Sequence, residues 1–321
     1  MTKIVAYDSY LGIDDESVEA IQRTAPDAKV VAPTKEDLAA ELADAEIFYG
    51  YHSPELFHGA EKLCWIQSAA AGLDAMVDAP LIERGLTITN ASGVHAPQVA
   101  EAAWALTLAL TRGLPSYFRH QEKHLWEWST HFDLDGATAG IIGLGGIGRR
   151  YARVAAAFGM QVLAVDAHEP PRPDSVEAVW SLDRLNELLA TADVVLISCP
   201  ATKETYHLID AERLAHMRPT AFLVNIARGD IVHEDALAAS LRTGQIAGAG
   251  IDVCAAEPLP PESTLWDTPN LVITPHCAGL SPNRRRRLIE FFCQNLRRYL
   301  DGEPLLNVVD PRIGYPVPAT L

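Results

Sequence analysis

The sequence predicts an α/β protein with two doubly wound parallel sheets. Short apolar runs alternate with helical patterns over the first 90 residues, and the alternation returns from about residue 137 to residue 274. Strands that alternate with helices are typical of parallel sheets covered by helices on their faces. The chain has 321 residues, of which 48% are hydrophobic, and this provides enough apolar material for two such domains.

The first domain begins with a strand at the N-terminus. Strands are predicted at residues 4–7, 30–31, 47–49 and 64–67, and helices at 15–24 and 35–43. The segment 68–74, which ends in Leu73 and Asp74, follows the fourth strand and is expected to open a short helix. Tyr51, close after the third strand, is a candidate for the lining of a pocket, with packing in the core or at its rim as the alternative.

The second domain is preceded by a helix rich in Ala and Leu at 97–110, and by another that reaches about residue 126. Its strands are expected at 137–143, 162–166, 194–198, 221–225, 246–251 and 271–274, with helices at 147–158, 182–190, 211–216 and 234–242. The last 40 residues contain one helix and are too short for a domain. We therefore expect a discontinuous domain of residues 1–94 and 280–321, interrupted by a domain of residues 95–279.

A glycine-rich turn indicates the ligand of the second domain. It runs from Gly143 to Gly148, follows an apolar strand and opens a helix. In this dinucleotide motif, Gly143 permits the turn, Gly145 lets the backbone approach a pyrophosphate, and Gly148 lets the helix pack on the strand. The helix N-terminus supplies free amides and a positive dipole end. Gly146 and Ile147 are expected to contact the same ligand.

Asp166 indicates which dinucleotide is bound. It ends the next predicted strand, eighteen residues after Gly148, where an acidic side chain accepts hydrogen bonds from the adenosine ribose. Its charge would repel a 2′-phosphate, so the sequence favours NAD over NADP. NADP remains the alternative because Arg149 and Arg172 carry compensating charge.

Polar residues also follow three other strands of the second domain. They are Arg228, then Asp252 with Glu257, and then His276. Ligands of open α/β sheets bind beyond the carboxyl ends of the strands. We therefore expect these four side chains to converge.

These segments, in this order and spacing, resemble the D-isomer-specific 2-hydroxyacid dehydrogenases, in particular glyoxylate and hydroxypyruvate reductases. The resemblance implies a Rossmann-type cofactor domain inserted into a discontinuous flavodoxin-like substrate domain, and a homodimer joined through the helices over 97–126. It makes Arg228, Glu257 and His276 catalytic, and places Asp252 on the nicotinamide carboxamide. It also implies cofactor contacts at Cys199, Pro200, Ile226, Ala227, Arg228, His276 and Ala278, and substrate contacts at Tyr51, Arg228 and His276 and at the backbone of Ala71 and Gly72.

The chemistry explains these residue types. Hydride transfer to the carbonyl carbon of a 2-oxo acid leaves negative charge on the carbonyl oxygen, and an imidazole such as His276 can deliver the proton and take it back. Glu257 would fix the tautomer of that imidazole. Arg228 offers a planar fork of donors for the substrate carboxylate. The predicted function is NAD-dependent reduction of a small 2-oxo acid, or oxidation of a D-2-hydroxy acid.

Composition excludes other classes of protein. The formal net charge of −16 disfavours binding to nucleic acid. The five cysteines form no C-x-x-C pair, so neither a metal site nor a disulfide framework is expected, and a cytoplasmic location fits best. No apolar stretch is long enough to predict a membrane helix, and the early acidic residues do not fit a signal peptide.

One basic run departs from the acidic composition. Arg284 to Arg287 follow Ser281 and Pro282, which are expected to be the N-cap and first residue of a helix that continues to residue 300. We expect this run on a solvated or subunit-facing side of the helix, with anion binding as the alternative.

Two rival functions remain on sequence grounds. A corepressor-like protein that senses NAD would keep the same residues. An enzyme related to phosphoglycerate or phosphite dehydrogenases would also belong to the same family, although no basic phosphate pocket is evident near 49–52 or 68–74. For Trp126 and Trp128, burial in a core or an interface is the favoured interpretation, with closure of the pocket, within the chain or across a dimer, as the alternative.

Overall fold

A computed structural model describes residues 1–73, 76–168, 170–310 and 312–316. Asp74, the last residue of the segment 68–74 that was expected to open a helix, therefore lies outside the described residues. The chain divides into two compact units, one formed by Met1–His95 with the C-terminal segment from Ser281, and the other by Ala96–Leu280. We call these the outer unit and the inserted unit.

The outer unit contains one parallel sheet of five strands in the order β2-β1-β3-β4-β5. This is the flavodoxin-like strand order. Its elements are β1 (Lys3–Asp8), α1 (Asp15–Thr24), β2 (Lys29–Val31), α2 (Leu38–Leu42), β3 (Ile47–Tyr51), β4 (Trp65–Ser68), α3 (Ala79–Glu83) and β5 (Thr87–Thr89), and, after the inserted unit, a long C-terminal helix over residues 284–300.

Alternating side chains of the outer sheet enter two separate cores. Ile4 and Tyr49 belong to the core that the C-terminal helix covers, whereas Val5 and Phe48 belong to the core on the opposite face. Phe292 of that helix stacks on Tyr49 with ring centroids 4.6 Å apart. The helix therefore lies along the sheet. This packing fixes the position of its first turn relative to the strand ends.

The inserted unit contains a parallel sheet of seven strands, in the order β12-β11-β10-β9-β6-β7-β8. Read from β6, the first six strands have the Rossmann order 3-2-1-4-5-6, and β12 is added at one edge. The elements are α4 (Ala96–Thr111), α5 (Leu114–Glu122), β6 (Thr138–Ile142), α6 (Gly146–Ala157), β7 (Gln161–Val165), β8 (Ala178–Trp180), α7 (Leu185–Thr191), β9 (Val194–Ile197), α8 (Ala211–His216), β10 (Phe222–Asn225), α9 (Glu234–Thr243), β11 (Gly248–Ile251) and β12 (Leu271–Ile273); the C-terminal helix of the outer unit is α10 (Arg284–Leu300).

The predicted fold class is confirmed: both sheets are parallel and carry helices. Residues of β6 and of β9 to β11 are buried on both faces, as in parallel sheets enclosed by helices. At Gly250 a Cβ would lie 3.0 Å from the Cβ of Leu106, so this glycine lets α4 approach the sheet closely. The strand ends of β6, β9, β10 and β11 are thereby held in one rigid layer.

Several sequence-based boundaries were wrong. The strands β5 and β8 and the helix α3 are too short for periodicity to reveal, and α5 ends at Glu122 rather than near residue 126. No helix follows Ser68 directly; residues 69–71 form bends. The helix α10 begins at Arg284 with Asn283 as its N-cap residue, and not at Pro282.

The two tryptophans after α5 are exposed in the single chain. Trp126 is 100% exposed and Trp128 is 87% exposed, so the prediction that they enter a core is wrong. They follow a short helix in a segment without regular structure, and among the residues that the structure describes no element covers them. Their burial against a second copy stays a prediction.

Among the described residues, no helix is both long enough and apolar enough to cross a membrane.

Candidate active site

The loop between β6 and α6 owes its shape to glycines. Gly143 has a φ of +93°, and a Cβ there would lie 2.6 Å from the backbone nitrogen of Cys199. A Cβ at Gly148 would lie 2.4 Å from the carbonyl oxygen of Gly143. At Gly145, by contrast, a Cβ would meet nothing within 4 Å. Open space therefore remains in front of the first amides of α6, which have no acceptors within the helix.

This arrangement fits the pyrophosphate of a dinucleotide. The unpaired amides and the helix dipole favour a negatively charged group, and the missing side chain at Gly145 leaves room for it. Gly146 and Ile147 lie in the first turn of α6, as the sequence predicts.

Asp166 lies directly after β7, beside the glycine loop. Its Oδ2 accepts a hydrogen bond from the amide of Leu144 at 2.8 Å, and its Oδ1 accepts one from the amide of His168 at 2.9 Å. A carboxylate has about four acceptor positions, and the donors among the described residues occupy two of them. The sequence predicts only the ribose contact; the structure shows that the same carboxylate also orders the loop.

Cys199 and Pro200 follow the neighbouring strand β9. The hydroxyl of Ser198 donates to the carbonyl oxygen of Gly143 at 2.7 Å and links this segment to the glycine loop. Burial raises the pKa of the Cys199 thiol to about 12, and the nearby charge of Asp166 adds to the effect. The thiol is therefore neutral near pH 7, and the surface that it forms beside the glycine loop is uncharged.

Arg228 lies in the turn after β10, and Asn225 shapes that turn. The Asn225 side chain donates to the carbonyl oxygen of Arg228 at 2.9 Å and accepts from the amide of Ala227 at 3.0 Å. A Cβ at Gly229 would lie 1.9 Å from the carbonyl carbon of Cys254. Only glycine permits this approach, which brings the segment of Arg228 against the segment that follows β11.

Asp252 directly follows β11 and is 2% exposed. Its Oδ1 accepts from the Thr274 hydroxyl at 2.6 Å and from the Cys277 amide at 3.0 Å, and its Oδ2 accepts from the Ala278 amide at 2.9 Å. These bonds close the turn after β12, in which His276 has a φ of +49°. Asp252 thus positions His276, a role that the sequence does not reveal; its predicted contact with the nicotinamide carboxamide stays a prediction.

His276 and Glu257 form a hydrogen-bonded pair. The Nδ1 atom of His276 lies 2.7 Å from Oε2 of Glu257, and the other carboxylate oxygen accepts from the Cys254 amide at 3.0 Å. Neither side chain is buried: 48% of the His276 side chain and 37% of the Glu257 side chain are exposed. Because Nδ1 is engaged, the Nε2 atom of His276 is left to meet a ligand.

The outer unit provides the remaining predicted residues. In the described part of the chain, no group accepts a hydrogen bond from the backbone amides of Ala71 and Gly72, which follow β4. The side chain of Asn90 donates to the Ala71 carbonyl oxygen at 2.5 Å and holds this loop. Tyr51 ends the adjacent strand β3, and its ring lies 5.4 Å from that of Tyr10.

Asn225, Thr274 and Ser198 are the site residues that sequence reasoning missed. Each acts on the backbone or side chain of a predicted residue rather than on a ligand. Asn225 stands three positions before Arg228 and Thr274 two before His276, so a polar residue at the end of a buried strand is the signal that could have found both.

The inserted unit combines a Rossmann-ordered sheet with an open glycine loop. At neighbouring strand ends it carries an arginine and a His–Glu pair. Together these features define a nicotinamide-dependent dehydrogenase. The chain belongs to the D-isomer specific 2-hydroxyacid dehydrogenase family. The family profile described as "D-isomer specific 2-hydroxyacid dehydrogenase, NAD binding domain" matches residues 104–278.

Similar proteins agree with this assignment. A glyoxylate reductase of Korarchaeum cryptofilum is 36% identical over 267 residues, which cover 81% of this chain and 80% of the relative. A family member from Aeromonas salmonicida has a solved structure with a TM-score of 0.81 and 33% identity, over 96% of this chain and 99% of that chain. One from Xanthobacter autotrophicus, solved with NADPH and MES, has a TM-score of 0.84 and 30% identity, over 98% and 99%.

Two glycines of the loop allow packing to be separated from ligand binding. In Gly148→Ala, the added Cβ collides with backbone, and overpacking of this kind costs about 1–3 kcal/mol. We expect a lower midpoint of thermal unfolding and weaker NADH binding. In Gly145→Ala, the Cβ enters open space, so we expect an unchanged midpoint and NADH affinity at least about tenfold lower.

Circular dichroism gives the midpoint, and quenching of protein fluorescence gives NADH affinity. Gly59→Ala is the control, because its Cβ would also meet nothing within 4 Å and it lies in the outer unit. Full NADH affinity in Gly145→Ala would contradict the assigned pyrophosphate position.

Proposed function

We propose that this dehydrogenase reduces a small 2-oxo acid to the D-2-hydroxy acid with NADH, and catalyses the reverse oxidation with NAD. The observation that carries the proposal is the 2.7 Å contact between His276 Nδ1 and Glu257 Oε2, on the strand-end edge where Arg228 also lies. When bound, the dihydronicotinamide supplies a hydride to the carbonyl carbon.

His276 acts as the general acid of the reduction. The Glu257 carboxylate accepts a hydrogen bond from Nδ1–H of the imidazolium, and the second ring proton lies on Nε2. That proton passes to the carbonyl oxygen as negative charge develops there, and Nε2 takes it back in the oxidation. The buried Asp252 keeps the ring in place, since it ties the turn on both sides of His276.

Arg228 binds the carboxylate of the substrate. A guanidinium offers two parallel donors to a carboxylate, and the turn built by Asn225 fixes where those donors begin. In the outer unit, we assign the backbone amides of Ala71 and Gly72 to substrate binding, because no described group accepts from them. Tyr51 is assigned to the side chain of the substrate.

The units have separate roles in this proposal. The inserted unit is the dinucleotide domain, with cofactor contacts that include Cys199, Pro200, Ile226, Ala227 and Ala278, and the outer unit is the substrate domain. NAD is favoured because the Asp166 carboxylate lies beside the loop, where it would repel a 2′-phosphate. The Xanthobacter relative was solved with NADPH, so the choice of cofactor requires its own measurement.

The variant His276→Ala tests the proton transfer. We expect kcat to fall by about 10²- to 10⁴-fold, since general acid–base catalysis contributes an effect of this size, while NADH still binds. The assay is loss of NADH absorbance with glyoxylate, hydroxypyruvate, pyruvate and phenylpyruvate. His216→Ala is the control, because His216 is exposed at the end of α8. Lack of turnover by the wild type across the whole panel would refute the proposed activity, and would leave a protein that binds NAD to capture a partner.

The variant Asp166→Ala tests the choice of cofactor. Because the carboxylate also accepts from the Leu144 amide, KM should rise for both cofactors. The informative quantity is the ratio of kcat/KM for NADH to that for NADPH, which we expect to fall by at least about tenfold. Asp174→Ala, at an exposed position of the same unit, should keep the wild-type ratio. An unaltered ratio in Asp166→Ala would refute this account of the preference.

We also propose that the protein is a cytoplasmic homodimer joined through α4 and α5. Large apolar side chains are exposed on and after α5, namely Leu114, Phe118, Leu125, Trp126 and Trp128. Exposed apolar surface of this kind is typical of an interaction site. Sedimentation should give twice the chain mass of 34.9 kDa, and Trp126→Ser with Trp128→Ser should shift the species toward one copy. A wild type that sediments as a single copy at micromolar concentration would refute the dimer.

A further inference from the structure

The segment that follows α10 pairs with the edge of the outer sheet. The strand β5 is the last in the order of that sheet. Thr89 of β5 and Val308 form an antiparallel bridge, and the amide of Asn90 donates to the carbonyl oxygen of Asn307 at 3.2 Å. An edge strand leaves backbone groups unpaired on its outer side. The C-terminal segment therefore provides partners for β5 and for the turn that follows it.

Asn295 of α10 fixes the start of this segment. Its side chain is not exposed; it accepts from the Leu306 amide at 2.8 Å and donates to the Leu306 carbonyl oxygen at 3.0 Å. The same side chain donates to Oε1 of Gln67 in β4 at 2.9 Å. Buried polar groups need partners of this kind. The residue before Asn307 is thus fastened to the core of the outer unit, which fixes where the Asn307 side chain begins.

The Asn307 side chain holds the turn after β5. Its Nδ2 atom carries two donors, and these reach the carbonyl oxygen of Asn90 at 3.2 Å and that of Ser92 at 2.8 Å. The Ser92 amide donates to Oδ1 of Asn90 at 3.1 Å, which orients the Asn90 side chain. Asn307 has a φ of +54°, a left-handed conformation in which asparagine is enriched. One side chain therefore joins two carbonyl groups of this turn.

The turn at Asn90 sets the direction of two amides in the loop after β4. The Ala91 amide donates to the Ala70 carbonyl oxygen at 2.9 Å, and the Asn90 side chain donates to the Ala71 carbonyl oxygen at 2.5 Å. In a trans peptide, the C=O group and the following N–H group point in opposite directions. The N–H groups of Ala71 and Gly72 therefore both point away from the turn. Successive N–H groups on one side form a concave site for an anion.

We propose that Asn307 is a positioning residue for substrate binding. It holds the turn at Asn90, and this turn directs the amides of Ala71 and Gly72 toward an anionic oxygen of the 2-oxo acid. The inference rests on the proposed function. Asn307 acts through Asn90, and it takes no part in hydride or proton transfer. Because the loop contributes binding alone, loss of its alignment raises KM and leaves kcat nearly unchanged.

The variant Asn307→Gly removes the side-chain donors, and glycine keeps the left-handed backbone. We expect KM for the 2-oxo acid that the wild type reduces best to rise by about tenfold, because a misaligned amide loses a hydrogen bond to a charged group. We expect kcat and NADH affinity to stay within about twofold. Asn307→Asp should raise KM further, since a carboxylate would face the two carbonyl oxygens that now accept from the amide. A role in packing alone would make Asp the milder change.

Asn270→Gly is the matched control. Asn270 is an exposed asparagine with a φ of +58° in the inserted unit, so the backbone change is the same and the turn at Asn90 is untouched. Hydrogen exchange, measured without ligand, should be faster at the amides of Asn90, Ala91 and Ser92 in Asn307→Gly than in the control. Unchanged exchange, or faster exchange with an unaltered KM, would overturn the proposal.

Calorimetric titration with pyruvate and with glyoxylate, in the presence of NAD, separates this inference from the proposed activity. Wild-type binding that Asn307→Gly weakens, without turnover of any 2-oxo acid, would support the role of Asn307 and refute the activity. Turnover by the wild type, with equal KM in Asn307→Gly and Asn270→Gly, would support the activity and refute the role of Asn307. A wild type that neither binds nor reduces these acids would refute both.

Discussion

The geometry of the site depends on one buried carboxylate. Asp252 accepts three hydrogen bonds from the turn after β12, and it is almost fully removed from solvent. A buried carboxylate is stable only when such donors surround it, so the turn cannot move away without leaving the charge unsatisfied. His276 keeps its left-handed backbone conformation because its neighbours are fastened in this way.

Backbone close approach completes the site. Gly229 lies against the backbone of Cys254, and this contact joins the segment of Arg228 to the segment of Glu257. A side chain at position 229 would leave no room for it. Gly143 and Gly148 do the same for the dinucleotide loop. Tight packing of main chain at the ends of parallel strands therefore acts together with side-chain hydrogen bonds to position these residues.

The two units fix the positions of their arginines in different ways. In the inserted unit, Arg228 lies in a turn whose backbone is fixed by Asn225. In the outer unit, Arg284 is placed by the first turn of α10, whose axis follows from the packing of Phe292 on Tyr49. Within the run of four arginines, the Nε atom of Arg284 is buried, whereas the side chain of Arg286 is 58% exposed.

The sequence by itself determined the fold class and the presence of the glycine loop. It also determined that Asp166, Arg228, Glu257 and His276 lie after strands of the inserted unit. These features depend on local periodicity and on spacing along the chain, which a single sequence contains. Short elements such as β5, the start of α10 and the exposure of Trp126 were decided by tertiary structure. Each depends on which distant residues cover or leave a surface, and burial is a property of the packed chain, not of a local pattern.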